Sequence, residues 1–190
     1  MSIKSIVSTI SLAVLLQGCV AAAVVGIVGG ATIATDNRSL GNQIDDQKIE
    51  IDAHAKLAKS DALDDNTNLH VISVNGSVLV VGQAPNSYLR DQAIKVINEV
   101  NGIKQLHNQI RVSNTTSFTT KTNDVWLTSK VKAALFGNEE LDATNIKVVT
   151  ENAEVFLMGL VTKAQATIAV DIARNVGGVN RVFKIFEYVE

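Results

Sequence analysis

The chain has 190 residues, 46% of them hydrophobic, which is enough apolar material for one ordinary domain or two small ones and excludes disorder over the whole length. Aromatic residues make up 4% and the net charge is −2, which excludes both a stacking platform for single strands and a broad basic footprint, so nucleic acid is not an expected partner. One cysteine leaves no intramolecular disulfide and no thiolate metal cluster.

Residues 1–18 read as an export signal: Lys4, then the apolar run Ile6 to Leu16, then small Gly18. The run is shorter than the roughly 20 apolar residues that a permanent spanning helix needs. Leu16-Gln17-Gly18-Cys19 resembles the lipobox of bacterial lipoproteins. That resemblance implies cleavage before Cys19, a diacylglyceryl thioether on its sulfur and acylation, as by palmitate, of the new amino group. Several chains make a stable anchor, because each buried CH₂ contributes about 0.8 kcal/mol and one chain alone is marginal. Val20 follows the cysteine where an aspartate would resemble the inner-membrane retention signal, so the outer membrane, facing the periplasm, is the expected location. Residues 20–35 are rich in Ala, Val and Gly, and Gly26 and Gly30 have GxxxG spacing. They read as a tether, with close helix packing as the alternative. From Asp36 to Asp46 the composition turns polar, as in a linker.

The remainder contains an internal repeat. Val78-Leu79-Val80-Val81-Gly82 corresponds to Val155-Phe156-Leu157-Met158-Gly159 at an offset of 77, which also relates Asn75 to Asn152, Val71 to Val148 and Ile49 to Trp126. The expected divisions are a signal at 1–18, a lipidated tether at 19–43, a first module at 44–112, a Ser/Thr/Asn-rich linker at 113–120 and a second module at 121–190. In each module the pattern predicts a helix (46–59; 123–137), a strand (69–74; 146–151), a tight turn at Asn75-Gly76 or Asn152-Ala153, a second strand (77–82; 154–160), a second helix (86–100; 163–176) and a last strand (104–112; 180–189). Thr162 with Gln165 has the spacing of a capping box. The fold class is α+β, each α-β-β-α-β module having helices on one face of a three-stranded mixed sheet.

This unit, with its V-x-L-x-G strand ending at Gly82 and Gly159 and a late Gly-Ile or Gly-Val, resembles the BON domain. Two such domains behind a lipobox are similar to the dual-BON outer-membrane lipoproteins. The resemblance implies binding of anionic phospholipid through the second domain, a role in envelope integrity and no enzymatic activity.

The residues of the 123–137 helix bear on that implication separately. Leu127, Val131, Ala134 and Leu135 form one apolar stripe suited to a core. Val125, Trp126, Ala133 and Phe136, with Ser129 among them, then point largely the other way, flanked by Lys130 and Lys132. Such a strip suits a membrane interface, with rings at headgroup depth and lysines at phosphates. Covering the other module or the linker is the structural alternative. In the first module, Lys48, Asp52, Lys56 and Lys59 occupy the places of Val125, Ser129, Ala133 and Phe136, and only Ile49, opposite Trp126, is apolar. His54, matched to Val131, and His70 and His107 show no metal-ligand spacing, so neither a metal nor a cofactor is expected. Asp45-Asp46 reads as linker, and Glu139-Glu140 as a solvated turn. No nucleophile elbow or phosphate loop appears. Beside phospholipid binding stand two other readings: an adaptor for outer-membrane assembly proteins using the same strip, and, ranked lower, a membrane-damaging, haemolytic protein.

Overall fold

Both halves of the chain form the expected order of elements. The computed structural model describes residues 40–114 and 117–190, so the export signal, Cys19, the GxxxG stretch and residues 19–39 of the tether lie outside the described residues. The first module contains α1 (Leu40–Leu57), a one-turn α2 (Asp61–Asp64), β1 (Asn68–Val74), β2 (Ser77–Ala84), α3 (Ser87–Asn98) and β3 (Gln105–Val112). The second contains α4 (Phe118–Phe136), a 3-10 turn (Ala143–Asn145), β4 (Ile146–Glu151), β5 (Glu154–Val161), α5 (Lys163–Arg174) and β6 (Arg181–Tyr188). In each sheet the second strand is central: β1–β2 and β4–β5 are antiparallel hairpins, whereas β2–β3 and β5–β6 are parallel. A parallel pair cannot be joined by a tight turn, and α3 and α5 supply the crossovers.

The hairpin turns explain two features of the repeat. Asn75 and Gly76 have φ of 54° and 79°, and Asn152 and Ala153 have 58° and 60°. A buried carboxylate from the preceding helix holds each turn. Asp46 accepts the N–H of Asn75 at 2.6 Å and that of Gly76 at 2.9 Å, and Asp124 does the same for Asn152 at 2.7 Å and Ala153 at 2.8 Å. Asp46 is therefore no linker residue; it lies within α1, and bonding to the turn offsets the cost of burying its charge. The motif glycines answer to close approach. A Cβ on Gly82 would sit 1.9 Å from the Asn68 carbonyl oxygen, and one on Gly159 would sit 2.0 Å from that of Asn145.

These aspartates also correct the alignment of the helices. Asp46, Ile49, Ala53 and Leu57 are the buried positions of α1, and Asp124, Leu127, Val131 and Leu135 those of α4, an offset of 78 rather than 77. The strands keep 77, since Asn75 and Asn152 open equivalent turns. One extra residue therefore lies between helix and hairpin in the first module, where Asp46 and Asn75 are 29 residues apart against 28 for Asp124 and Asn152. Ile49, 4% exposed, corresponds to Leu127 and not to Trp126, while His54 corresponds to Lys132 and not to Val131. Two helix starts differ as well. α1 begins at Leu40, within the polar stretch read as linker, and α4 begins at Phe118. There the Ser117 side chain accepts the Thr120 N–H at 3.2 Å, so the Ser/Thr-rich stretch caps a helix instead of prolonging a connector.

Among the described residues the core has three parts. Val78 and Val80 of β2 pack under α1 and α3, and Val155 and Leu157 of β5 pack under α4 and α5. The intervening residues form a third cluster: Leu79 and Val81 meet Phe156 and Met158, with Val74 and Ile185 beside them. The two sheets thus cover each other with the faces that their helices leave open. Phe156 stacks on Phe183 at 4.8 Å within this layer. Around it, Lys147 bridges to Glu50 at 2.8 Å and Arg111 to Glu154 at 2.6 Å, and fully buried Gln83 donates to Glu151.

Candidate membrane-facing helix

Helix α4 buries Asp124, Leu127, Val131 and Leu135 against its own sheet, and Ala134 is half-buried. The side chains between these positions must then face outward. Val125 is 68% exposed, Trp126 57% and Phe136 62%, and Ala133, Ser129 and Lys132 are exposed too. All these sequence-derived positions therefore share one outward surface, and the indole is covered by neither core nor module interface. Because the helix begins five residues earlier than its pattern predicted, it adds Phe118, 84% exposed and seven residues before Val125 on the same face. Reasoning from the sequence missed this ring by assigning residues 113–120 to a linker; Ser117 as a helix-capping serine was the available signal. The strip runs the length of a 19-residue helix, about 28 Å at 1.5 Å per residue.

Lys130, expected at the flank of the strip, also contacts the indole itself. Its ammonium lies 4.2 Å from the Trp126 ring centroid and donates to the Gly177 carbonyl at 2.9 Å. It joins the indole to the loop between α5 and β6, which limits the orientations the ring can take. Lys132 is exposed, and Lys121 donates to Asn68 Oδ1 at 3.0 Å. The only acidic residue of α4 is Asp124, which is buried and bonded to the turn. The exposed charge of the helix is therefore entirely positive, on a chain whose net charge is −2.

The first module is a different surface on the same scaffold. By the corrected alignment, Gln47, Lys48, Ile51, Ala55 and Ala58 hold the places of Val125, Trp126, Ser129, Ala133 and Phe136. Ile44 and Ile51 are exposed there, without an aromatic ring, and α1 carries Asp45 and Asp52 beside its lysines.

Among the described residues no helix is long and apolar enough to cross a membrane, and no three His, Cys, Asp or Glu side chains gather as metal ligands. His107 is half-buried, and loss of hydration lowers its pKa below the usual 6.5.

Comparison with known proteins agrees with this architecture. The BON domain model matches residues 45–114 and 123–188. Over 188 residues the chain is 38% identical to the outer membrane lipoprotein DolP of Haemophilus influenzae, covering 99% of this chain and 97% of that one. It is 38% identical over 162 residues to a 21 kDa hemolysin of Actinobacillus pleuropneumoniae, covering 85% and 84%. To the osmotically-inducible protein Y of Escherichia coli it is 28% identical over 161 residues, covering 80% and 77%. With two matched domains and a likeness that spans nearly its full length, the chain belongs to the BON-domain family and to its outer-membrane lipoproteins.

Proposed function

We propose that the second module binds the surface of membranes containing anionic phospholipid through α4, and so supports envelope integrity. Phe118, Val125, Trp126, Ala133 and Phe136 enter the headgroup region, while Lys132 and Lys130 face phosphates. The observation that carries this reading is the meeting, on one helix, of four exposed large apolar side chains with exposed charge of a single, positive sign. Lysines near an anionic surface contribute about 1 kcal/mol each, enough for local attraction on a protein of weakly negative net charge. Acylation at Cys19 would hold the chain on the periplasmic side of the outer membrane, where even weak contact by α4 gains from high effective concentration.

A form lacking residues 1–19, which removes the anchor, tests the helix by itself. It is expected to sediment with phosphatidylglycerol vesicles and not with phosphatidylcholine vesicles, less so as salt rises. Trp126→Glu should abolish sedimentation; unchanged binding refutes the site. Photo-crosslinking from position 126 in envelopes separates lipid from the adaptor reading, in which one defined polypeptide, such as an outer-membrane assembly protein, would be captured instead.

The relative named as a 21 kDa hemolysin favours a second reading, membrane damage by the same lipid affinity. Lysis of erythrocytes by purified protein, compared with its Cys19→Ser form, tests it.

A further inference from the structure

A groove of about 460 Å³ opens beside α4 where the two modules meet. One side comes from the first module, through Ile72 and Val81, and the other from Val125, Val148 and Val149 of the second. Ile72 and Val149 are half-buried at the rim of the layer between the sheets. Val125 belongs both to this groove and to the outward strip of α4, so the two surfaces are continuous. The polar side chains deeper in the lining already have partners, while His70 stands exposed at the mouth. Asp124 holds the hairpin turn, the Thr128 hydroxyl donates to Thr150 at 2.8 Å, and Glu151 accepts from Gln83. What these side chains leave facing the groove is chiefly hydrocarbon, and Lys121 stands beside it as a cation.

We infer that this groove takes one acyl chain of an anionic phospholipid whose phosphate meets Lys121, so that the first module supplies a wall of the lipid site. The inference rests on the membrane reading of α4 and deepens it. A hydrocarbon chain needs no hydrogen bonds from its surroundings, which suits a lining whose inner polar side chains are already bonded within the protein. An extended peptide would bring backbone donors and acceptors that those side chains are not available to satisfy. Volumes of about 300–1,000 Å³ with mostly apolar walls are typical of small-molecule sites. The arrangement also accounts for the pairing of the modules, because neither alone has both walls.

The test uses the full chain in proteoliposomes of phosphatidylglycerol carrying a photoreactive diazirine on the acyl chain close to the glycerol, at the depth of the headgroup boundary, with adducts mapped by mass spectrometry. Adducts on Ile72 and Val149 as well as on the outward strip of α4 are expected. Adducts on α4 alone overturn the groove and leave the membrane reading standing. Adducts on neither overturn both. A second variant, His70→p-benzoylphenylalanine, places a crosslinker at the exposed mouth of the groove in whole envelopes. A phospholipid adduct supports the inference, and a polypeptide adduct overturns it in favour of a peptide occupant.

Discussion

Asp124 accepts the backbone N–H of Asn152 at 2.7 Å, and its other carboxylate oxygen accepts that of Ala153 at 2.8 Å. A helix is thereby fixed to a hairpin turn by one buried charge, as Asp46 fixes α1 to the turn at Asn75-Gly76. Bonds to a charged acceptor are worth about 1.5–3 kcal/mol each. Asp124→Ala should therefore cost about 3 kcal/mol in urea denaturation of the folded unit. A loss of less than about 1 kcal/mol would show that the turn holds itself.

The same turn carries removable strain. Ala153 has a φ of 60°, a conformation that costs a residue with a Cβ roughly 1–2 kcal/mol. Ala153→Gly should stabilise the protein by about 1 kcal/mol and raise the Tm by roughly 2–4 °C. Gly159→Ala should do the reverse and more severely, because its methyl group would meet the Asn145 carbonyl oxygen. Failure of the second module to fold, seen by circular dichroism, is the expected outcome.

Lys130 acts on Trp126 before it acts on any phosphate. Because Trp126 is the only tryptophan of the chain, its fluorescence reports this contact directly. Lys130→Met should lower the anisotropy of the free protein and weaken vesicle binding about three- to tenfold, on the order of 1 kcal/mol. Lys130→Arg should restore both. Unchanged anisotropy in Lys130→Met would reduce the lysine to a simple charge.

His107 makes stability depend on pH. Burial disfavours its charged form, so its pKa in the folded state lies below the unfolded value of 6.5. The unfolded chain then binds more protons as pH falls through that range, and stability must fall with it. The contribution is intact above pH 6.5 and declines below it, towards the lowered folded pKa. His107→Gln should lose less stability than the parent between pH 7.5 and pH 5, about one unit above and one and a half below the ordinary pKa. Equal losses would assign the slope to other groups.

Much of this molecule was legible in its sequence because its determinants are local. Short apolar runs bounded by turn residues and 3.6-residue periodicity placed the strands and helices, and the Thr162–Gln165 capping box forms as its spacing predicted. The outward strip of α4 was legible for a similar reason: once Leu127, Val131 and Leu135 are buried, helical geometry directs Trp126 and Phe136 away from them. Phe118 was not, because a single capping serine among many Ser and Thr residues is a weak mark of a helix start.

Two features were decided only by tertiary structure. The helices repeat at 78 and the strands at 77, and the slip shows only in which helix positions are buried and in the bonds from Asp46 and Asp124 to their turns, since either register preserves an amphipathic pattern. The contact between the sheets was foreshadowed by unbroken apolar runs, Val78 to Val81 and Val155 to Met158, which mark strands buried on both faces. Such runs say that something covers the second face and not what. Burial is non-directional, so the identity of the cover is settled only when both modules have folded and each finds the other's open sheet.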